Sequence, residues 1–341
     1  MYTDLPIWLA LIFVITGLGV LAWSADLFIG SASKVARAMG ISPFVIGMVI
    51  IGFGTSAPEL CVSALSGIAG HSDLSLGNAY GSDIFNIACI LGLAALIRPI
   101  AVKPAIVYVA APALVAISLF SCLLVGLGNG FSRMDGMLEL AVFAVLLPLY
   151  CWFDQKTKPA GGDGNPGDGV KDTASGNRQP GKMSLLRAWI LLAVGLVLLI
   201  GSSHVLVWGS VDLARAFGVS ELMIGLTIVA AGTSLPELAS AIASARRGEH
   251  EFVLGNIIGS NFFNTLAVVG LAGAISPFKN VSPYILYRDM PVMVLLSMSI
   301  AIFGANWRRR PEGGRVSRLE GVIWFLSFIG YMCVMVAQEM R

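Results

Sequence analysis

The chain has 341 residues, of which 56% are hydrophobic and only 12% are charged, and its mean hydropathy is +0.82. This composition excludes a soluble globular protein. The formal net charge of +2 gives no indication of a nucleic-acid partner, and we expect the lipid bilayer to be the main surroundings of the chain.

Ten apolar runs are each long enough to cross about 30 Å of hydrocarbon. In chain order they lie at 7–29, 41–68, 74–97, 104–127, 134–153, 186–209, 219–245, 252–275, 284–305 and 319–338. The sequence therefore predicts an all-α integral membrane protein with ten transmembrane helices.

The chain contains an internal repeat. A shift of 178 residues aligns 40–99 with 218–277 without a gap, and 25 of the 60 positions are identical. The repeated motifs are GTSAPELCVS and GTSLPELASA, starting at Gly54 and Gly232, followed by GNAYGSDIFN and GNIIGSNFFN, starting at Gly77 and Gly255. Selection of small residues for helix packing would explain the shared glycines but not the shared Glu, Asn and Pro. The pattern indicates a duplicated unit.

The repeat also predicts the domain organisation. We expect residues 1–153 to form a first five-helix repeat with its core at 40–99, and 185–341 to form a second with its core at 218–277. Because each repeat has an odd number of spans, the second must be inverted in the membrane relative to the first. The segment 154–184 between them is rich in Gly, Pro, Asp and Lys, which is typical of a flexible linker.

The distribution of basic residues predicts how the chain is oriented in the membrane. The connections between spans 1–2, 3–4, 5–6, 7–8 and 9–10 carry 17 of the 22 Lys and Arg residues. By the positive-inside rule these connections, including the linker, are cytoplasmic, and both termini lie outside.

Each copy of the first motif places a carboxylate, Glu59 or Glu237, within an apolar span. A charged side chain there is costly unless it is paired, and intramembrane acids usually mark functional sites. The preceding prolines, Pro58 and Pro236, lack the amide hydrogen that continues a helix. Broken helices at matching positions of two inverted halves are typical of transport sites near the midplane of the membrane.

Other oxygen-bearing side chains accompany the two glutamates. They are Thr55, Ser56, Ser82 and Asn86 in the first repeat and Thr233, Ser234, Ser260 and Asn264 in the second. Residues three or four apart share a helix face, as Ser56 and Thr55 do with Glu59. The set contains neither sulfur nor imidazole, and oxygen-only sets suit hard cations such as Ca²⁺, which binds six to eight oxygens. Two carboxylates would neutralise one Ca²⁺ or two Na⁺.

Together, these motifs resemble the α-repeats of the cation/calcium antiporter superfamily, specifically its prokaryotic sodium/calcium exchanger branch. The resemblance implies ten helices in two inverted halves, with four cation sites clustered around Glu59 and Glu237 and the eight side chains above as further ligands. It implies that Gly52 and Ala230 offer backbone carbonyls to the cations. It also implies that two long tilted helices, the first and the sixth, slide to alternate access.

The sequence departs from the family pattern at a few positions. Asn264 stands where some relatives, including potassium-dependent ones, have Asp, which favours exchange without K⁺. Asp83 stands where the second repeat has Asn261, and we expect it to be a helix-contact residue, with an accessory proton or cation role as the alternative. We expect Asp26 and His204, which match under the 178-residue shift, to be interfacial or pore-lining polar residues.

The sequence thus predicts a secondary active antiporter of a prokaryotic cytoplasmic membrane that exchanges Ca²⁺ for Na⁺ through overlapping sites. An H⁺-coupled Ca²⁺ exchanger is the alternative within this class, and a passive cation channel is the alternative outside it. We expect no enzymatic activity, because the sequence shows no nucleophile–base pair. Ca²⁺ and Na⁺ are the expected substrates, with no resident cofactor and no obligate protein partner.

Overall fold

The computed structural model describes residues 6–68, 72–127, 130–156, 184–218, 230–277, 281–305 and 314–339. Within these ranges, eight helices are long and apolar enough to cross a membrane, and a bent pair of helices adds a ninth such span. The first part of the predicted seventh span and most of the predicted linker lie outside the described residues.

The helices follow the ten predicted spans in order. They are α1 (Ile7–Met39), α2 (Pro43–Thr55 and Ala57–Ile68), α3 (Ser75–Ile97), α4 (Ile106–Gly126), α5 (Arg133–Trp152), α6 (Leu185–Ala216), α7 (Ala230–Thr233 and Leu235–Arg247), α8 (His250–Ile275), α9 (Ile285–Gly304) and α10 (Arg318–Gln338). Helices α1 and α6 end later than their predicted apolar runs, at Met39 instead of 29 and at Ala216 instead of 209. A helix does not have to end where the sequence becomes more polar. At 33 and 32 residues, α1 and α6 are the longest helices among those described.

Helices α1 and α6 form a closely packed antiparallel pair. A Cβ atom on Gly17 would lie 2.8 Å from the backbone nitrogen of Leu206, and one on Gly195 would lie 3.0 Å from the backbone of Phe28. Gly17 and Gly195 are equivalent under the 178-residue shift. The absence of side chains at these two positions lets the backbones approach, as in many membrane helix pairs.

The centre of the bundle is formed by α3 and α8. In α8, 94% of the most apolar stretch is buried, against 11% in α5. The first part of α2 lies backbone to backbone against α8, since a Cβ on Gly47 would be 3.2 Å from the Cα of Gly255 and one on Gly52 would be 3.0 Å from the nitrogen of Ser260. This contact joins the two repeats directly.

Helices α3 and α8 each change to π-helical geometry at matching positions, Phe85–Leu91 and Phe263–Val268. These segments contain Asn86 and Asn264, two of the predicted ligands. Single π-helical turns often occur at functional sites, and here they begin beside the predicted site in both halves.

A short ribbon joins two connections between helices. Strand β1 (Ile100–Val102) pairs antiparallel with β2 (Gly314–Val316), with Ala101 opposite Arg315. The apolar pattern did not predict this ribbon, because each strand has only three residues. It links the 3–4 connection of the first repeat to the 9–10 connection of the second.

Candidate cation site

The helix breaks predicted from the prolines are present in both repeats. Helix α2 is interrupted at Ser56 (φ −83°, ψ 6°), and its two parts are bent by 43°. Helix α7 is interrupted at the equivalent Ser234 (φ −92°, ψ 12°). Because Pro58 and Pro236 have no amide hydrogen, the carbonyl four residues earlier loses its helical partner. The breaks lie directly before the two glutamates.

Each repeat donates a hydrogen bond to the glutamate of the other. The Ser56 hydroxyl donates to Oε1 of Glu237 over 2.9 Å, and the Ser234 hydroxyl donates to Oε1 of Glu59 over 2.8 Å. Both glutamates are 1% exposed. The site is therefore shared between the halves, although the helical spacing alone placed each serine on the same face as its own glutamate.

Further predicted ligands surround this pair. The Ser82 hydroxyl lies 3.4 Å from the Ser234 hydroxyl, and the Ser260 hydroxyl lies 3.5 Å from the carbonyl oxygen of Gly52. The Thr55 hydroxyl donates to a backbone carbonyl one turn earlier in its own helix, over 2.9 Å. All five residues are buried.

Two further predicted ligands, Thr233 and Ala230, lie at the start of the described part of α7. Thr233 forms a side-chain interaction with Glu59 and is partly exposed. For Ala230 the structure shows a helical backbone at the start of the described part of α7.

Four buried oxygen atoms of the predicted ligands are unsatisfied in the described part of the chain, as is the Nδ2 of Asn264. The oxygens are Oε2 of Glu59, Oε2 of Glu237, Oδ1 of Asn86 and Oδ1 of Asn264, and among the described residues none has a hydrogen-bond partner within 3.5 Å. Buried polar atoms in proteins nearly always have a partner. Four unpaired oxygens from carboxylates and amides fit a hard cation, which takes oxygen ligands.

The asparagines of the GN motifs bond to the backbone of the two glutamates. The Asn78 amide donates to the backbone carbonyl of Glu59 over 3.3 Å, and the Asn256 amide donates to that of Glu237 over 3.3 Å. Each also donates to a serine on the helix of its glutamate. The ligand prediction omitted both residues, although their presence in both copies of the motif was a signal for such a role.

Asp83 lies behind the cluster at the contact between α3 and α8. It is 1% exposed, and its Oδ2 accepts a 2.7 Å hydrogen bond from Thr265. Nearby, the amide groups of Asn86 and Asn261 are 3.0 Å apart. The expected helix-contact role of Asp83 is consistent with these bonds.

The two polar residues predicted on α1 and α6 lie at the surface of the protein. Asp26 forms an ion pair with Arg247 at the end of α7, with 3.4 Å between Oδ1 and Nε, and both side chains are more than 40% exposed. His204 is exposed. Neither residue is part of the buried cluster.

Comparison with known proteins agrees with this architecture. The sequence model of the family described as sodium/calcium exchanger protein matches residues 9–152 and 187–337, which correspond to the two repeats. The chain is 36% identical over 307 residues to the inner membrane protein YrbG of Escherichia coli, covering 90% of this chain and 91% of that protein. It is 30% identical to the sodium/calcium exchanger MaX1 of Methanosarcina acetivorans, covering 94% of this chain and 97% of that protein.

Solved structures of the sodium-calcium exchanger NCX_Mj show the same fold. One, soaked with Na⁺ and Sr²⁺, superimposes with a TM-score of 0.77 and 28% identity over 97% of this chain and 99% of that chain. Together with the family match, this similarity shows that the chain is an integral membrane protein of the sodium/calcium exchanger family, built as two inverted five-helix repeats.

Proposed function

We propose that this protein is a secondary active antiporter that exchanges Ca²⁺ for Na⁺, with the ions bound around Glu59 and Glu237. The observation that carries the proposal is that each glutamate has one oxygen bound by a serine of the opposite repeat and one buried oxygen without a partner among the described residues. This arrangement leaves both carboxylates oriented and still able to bind an ion.

The charge of the cluster supports a cation as the ligand. Among the described residues, no Lys or Arg nitrogen lies within 4.0 Å of either Glu59 or Glu237. Two ionised carboxylates without a basic partner carry a charge of −2, which one Ca²⁺ or two Na⁺ would balance. Because unpaired charges are costly inside a membrane protein, the empty site would cross the membrane poorly.

Coupling follows from competition for the same ligands. Ca²⁺ and Na⁺ both bind oxygen, and we propose that both use the same hydroxyl, amide and carbonyl groups together with this single pair of carboxylates. A site that crosses only when it is filled, and that holds one kind of ion at a time, exchanges one ion for the other. This is the basis for proposing antiport instead of passive conduction.

The position of the α1–α6 pair relative to the two repeats supports a sliding motion of these two helices along the rest of the bundle. A Cβ on Gly54, beside the break in α2, would lie 2.8 Å from the side chain of Leu196 on α6. Leu18, the repeat equivalent of Leu196, is 57% exposed and instead lines a cavity of about 160 Å³ with Leu235 of α7. The pair is therefore placed unequally relative to the two repeats. We propose that the opposite placement is the other state of the transport cycle.

We also propose that the protein lies in a prokaryotic cytoplasmic membrane, with the orientation that the basic residues of its connections predict. The related E. coli protein is named as an inner membrane protein, and a prokaryotic cytoplasmic membrane would place the linker at 154–184 inside and both termini outside.

The proposal is tested by ⁴⁵Ca²⁺ uptake into proteoliposomes that contain the purified protein. Vesicles loaded with Na⁺ and diluted into Na⁺-free buffer should accumulate Ca²⁺, whereas vesicles with only a K⁺ or a pH gradient should not. Uptake driven by the pH gradient alone would identify an H⁺-coupled exchanger. A net Ca²⁺ current without any counter-ion would identify a channel.

A further inference from the structure

A third acid is fully buried in the bundle, away from the two site glutamates. Glu139 lies on α5 and is 0% exposed. Neither of its carboxylate oxygens has a hydrogen-bond partner within 3.5 Å in the described part of the chain. An unpaired acid at such a position is costly, and in membrane proteins it usually has a function.

The groups around Glu139 are hydroxyls, a thiol and other acids. On α4, the Ser121 hydroxyl and the Cys122 thiol are near it. The Tyr80 hydroxyl on α3 lies 2.7 Å from the Ser121 hydroxyl. The other charged groups that face this region are Asp83 on α3, near Tyr80, and Asp135 on α5, one helical turn before Glu139.

No basic group is found near Glu139 in the described residues. Helix α8 packs against it through Gly270, since a Cβ on that glycine would lie 3.1 Å from the Cβ of Glu139. This contact brings a backbone and no titratable side chain. The carboxyl group therefore has hydrogen-bonding neighbours but no counter-charge.

The second repeat shows what the fold places at the equivalent position. The sequence SRMDG at 132–136 recurs as SRLEG at 317–321. The glycines of these motifs, Gly136 and Gly321, make equivalent contacts, with Gly270 on α8 and with Gly92 on α3 respectively. These two contact residues are themselves equivalent under the 178-residue shift.

This match makes Trp324 the counterpart of Glu139, because each lies three residues after its glycine. Trp324 is 1% exposed, and its indole N–H donates a 2.7 Å hydrogen bond to Ser299 on α9. The second repeat thus fills this position with a neutral donor that has a partner. The first repeat fills it with an acid that would gain the same donor ability by taking up a proton.

We propose that Glu139 is a second cation-binding position of this protein and that its ligand is a proton. Uptake of one proton forms an O–H bond on the Glu139 carboxylate and removes one negative charge, and release reverses both changes. The protonated acid would donate to the Ser121 hydroxyl, as Trp324 does to Ser299. When the proton leaves, the hydrogen bond between Ser121 and Tyr80 would reverse its direction, so that Tyr80 donates to Ser121 and Ser121 donates to the Glu139 carboxylate. Either oxygen of the Ser121–Tyr80 pair is able to donate.

The packing favours a proton over a metal ion. A proton needs no space beyond the carboxyl group, and Glu139 has no exposed surface. The site is connected to the transport cluster through α3, on which Tyr80 and Asp83 precede Asn86. Release of the proton would place a negative charge beside the helix that carries part of the cation site, which would link ion exchange to pH without titrating the site glutamates.

The proposal is tested by infrared difference spectroscopy of the full-length protein in lipid, titrated from about pH 5 to pH 10. A buried carboxylic acid gives a separate carbonyl stretching band that disappears on ionisation. The buried acids Glu59, Glu237 and Asp83 give bands of their own, so the Glu139 band is the one that is present in the wild type and missing from Glu139→Gln, which keeps the shape and lacks the titratable proton. We expect this Glu139 band to change with pH. Glu251→Gln is the control, because Glu251 is paired with Lys103 at 2.6 Å and should not contribute to the band.

A parallel titration in choline and in Na⁺ separates the proton from a metal ion. A Glu139 band that Na⁺ removes at constant pH would assign the site to Na⁺ and overturn the proton assignment, whereas Na⁺-sensitive bands that remain in Glu139→Gln belong to other acids. A Glu139 band that never changes with pH would show a fixed structural proton, and the absence of any Glu139 band would show a permanently ionised acid. Both results would overturn the proposal. If Glu139→Gln does not fold, Glu139→Asp should keep a pH-dependent band at a shifted frequency.

Discussion

Ser56 donates a hydrogen bond of 2.9 Å to Glu237, although the two residues are 181 positions apart and belong to opposite repeats. The mirror contact, from Ser234 to Glu59, has almost the same length, 2.8 Å. Neither repeat therefore contains all the groups of the proposed site. The duplication supplied two copies of one motif, and the inverted arrangement makes each copy orient the acid of the other.

This relationship predicts equal effects of Ser56→Ala and Ser234→Ala. Each variant removes a hydrogen bond to a charged group, worth about 1.5–3 kcal/mol, so we expect apparent Ca²⁺ affinity to fall by roughly tenfold or more in both. The check is the Ca²⁺ dependence of Na⁺-driven uptake. Ser244→Ala is the control, since the hydroxyl of that buried serine bonds only to the carbonyl of Ser240 in its own helix among the described residues. A large loss in only one of the two variants would contradict the shared site.

The close contact between α1 and α6 predicts that the glycines at which the two backbones meet are needed for stability and for exchange. Gly17→Ala and Gly195→Ala would introduce a Cβ about 3 Å from backbone atoms of the opposite helix, and overpacking of this kind costs about 1–3 kcal/mol. We expect a lower thermal midpoint of the detergent-solubilised protein and slower exchange. Gly19→Ala and Gly201→Ala are the controls, because a Cβ at either position would meet no described atom within 4 Å. Equal stability of all four variants would show that the pair is less closely packed than the structure indicates.

We expect exchange to be independent of K⁺. The two amide positions of the proposed site are Asn86 and Asn264, and the nearby Asp83 is bonded to Thr265. The proposed ligand set therefore has two carboxylates and no third acid for a further monovalent ion. Replacement of all K⁺ by choline on both sides of the vesicle should leave ⁴⁵Ca²⁺ uptake unchanged. An absolute requirement for K⁺ would show that position 264 has a different role.

The linker should be dispensable for transport. All the proposed ligands lie in the repeats, and the composition of 154–184 predicts no packed core. Deletion of 160–180 should retain Na⁺-driven Ca²⁺ uptake per molecule of inserted protein. A correctly folded deletion variant without uptake would assign the segment a direct role.

Much of the fold could be predicted from the sequence, because a membrane imposes strong patterns. Apolar runs located the helices, and the repeated prolines Pro58 and Pro236 predicted a helix break just before each acid, which the structure has at Ser56 and Ser234. The apolar runs predicted α1 and α6 to be shorter than they are, since a helix does not have to end where hydropathy falls. The partner of each serine could not be predicted, because it depends on how two distant helices meet.

Glu139 shows a different limit of sequence reasoning. The alignment with a constant shift of 178 residues ends at Pro99, and the fifth and tenth helices match only after a longer shift. The match of SRMDG with SRLEG is only five residues long, and the packing of Gly136 and Gly321 on equivalent glycines is what supports Trp324 as the counterpart of Glu139. The acid itself can be read from the sequence of this apolar helix, but its burial and its lack of a partner among the described residues cannot.

The central claim is that Glu59 and Glu237 together neutralise the transported Ca²⁺. Replacement of either by Gln keeps the shape and one oxygen but leaves a divalent ion facing a single carboxylate, and an uncompensated buried charge costs about 3–5 kcal/mol. Ser82→Ala removes one neutral ligand, worth about 1 kcal/mol, and should only weaken apparent affinity.

The most direct test is the initial rate of ⁴⁵Ca²⁺ uptake into Na⁺-loaded proteoliposomes for the wild type, Glu59→Gln, Glu237→Gln and Ser82→Ala at equal protein density. We predict that uptake falls to the level of protein-free vesicles in both Gln variants and persists in Ser82→Ala at raised Ca²⁺. Uptake near the wild-type rate in either Gln variant would contradict the account.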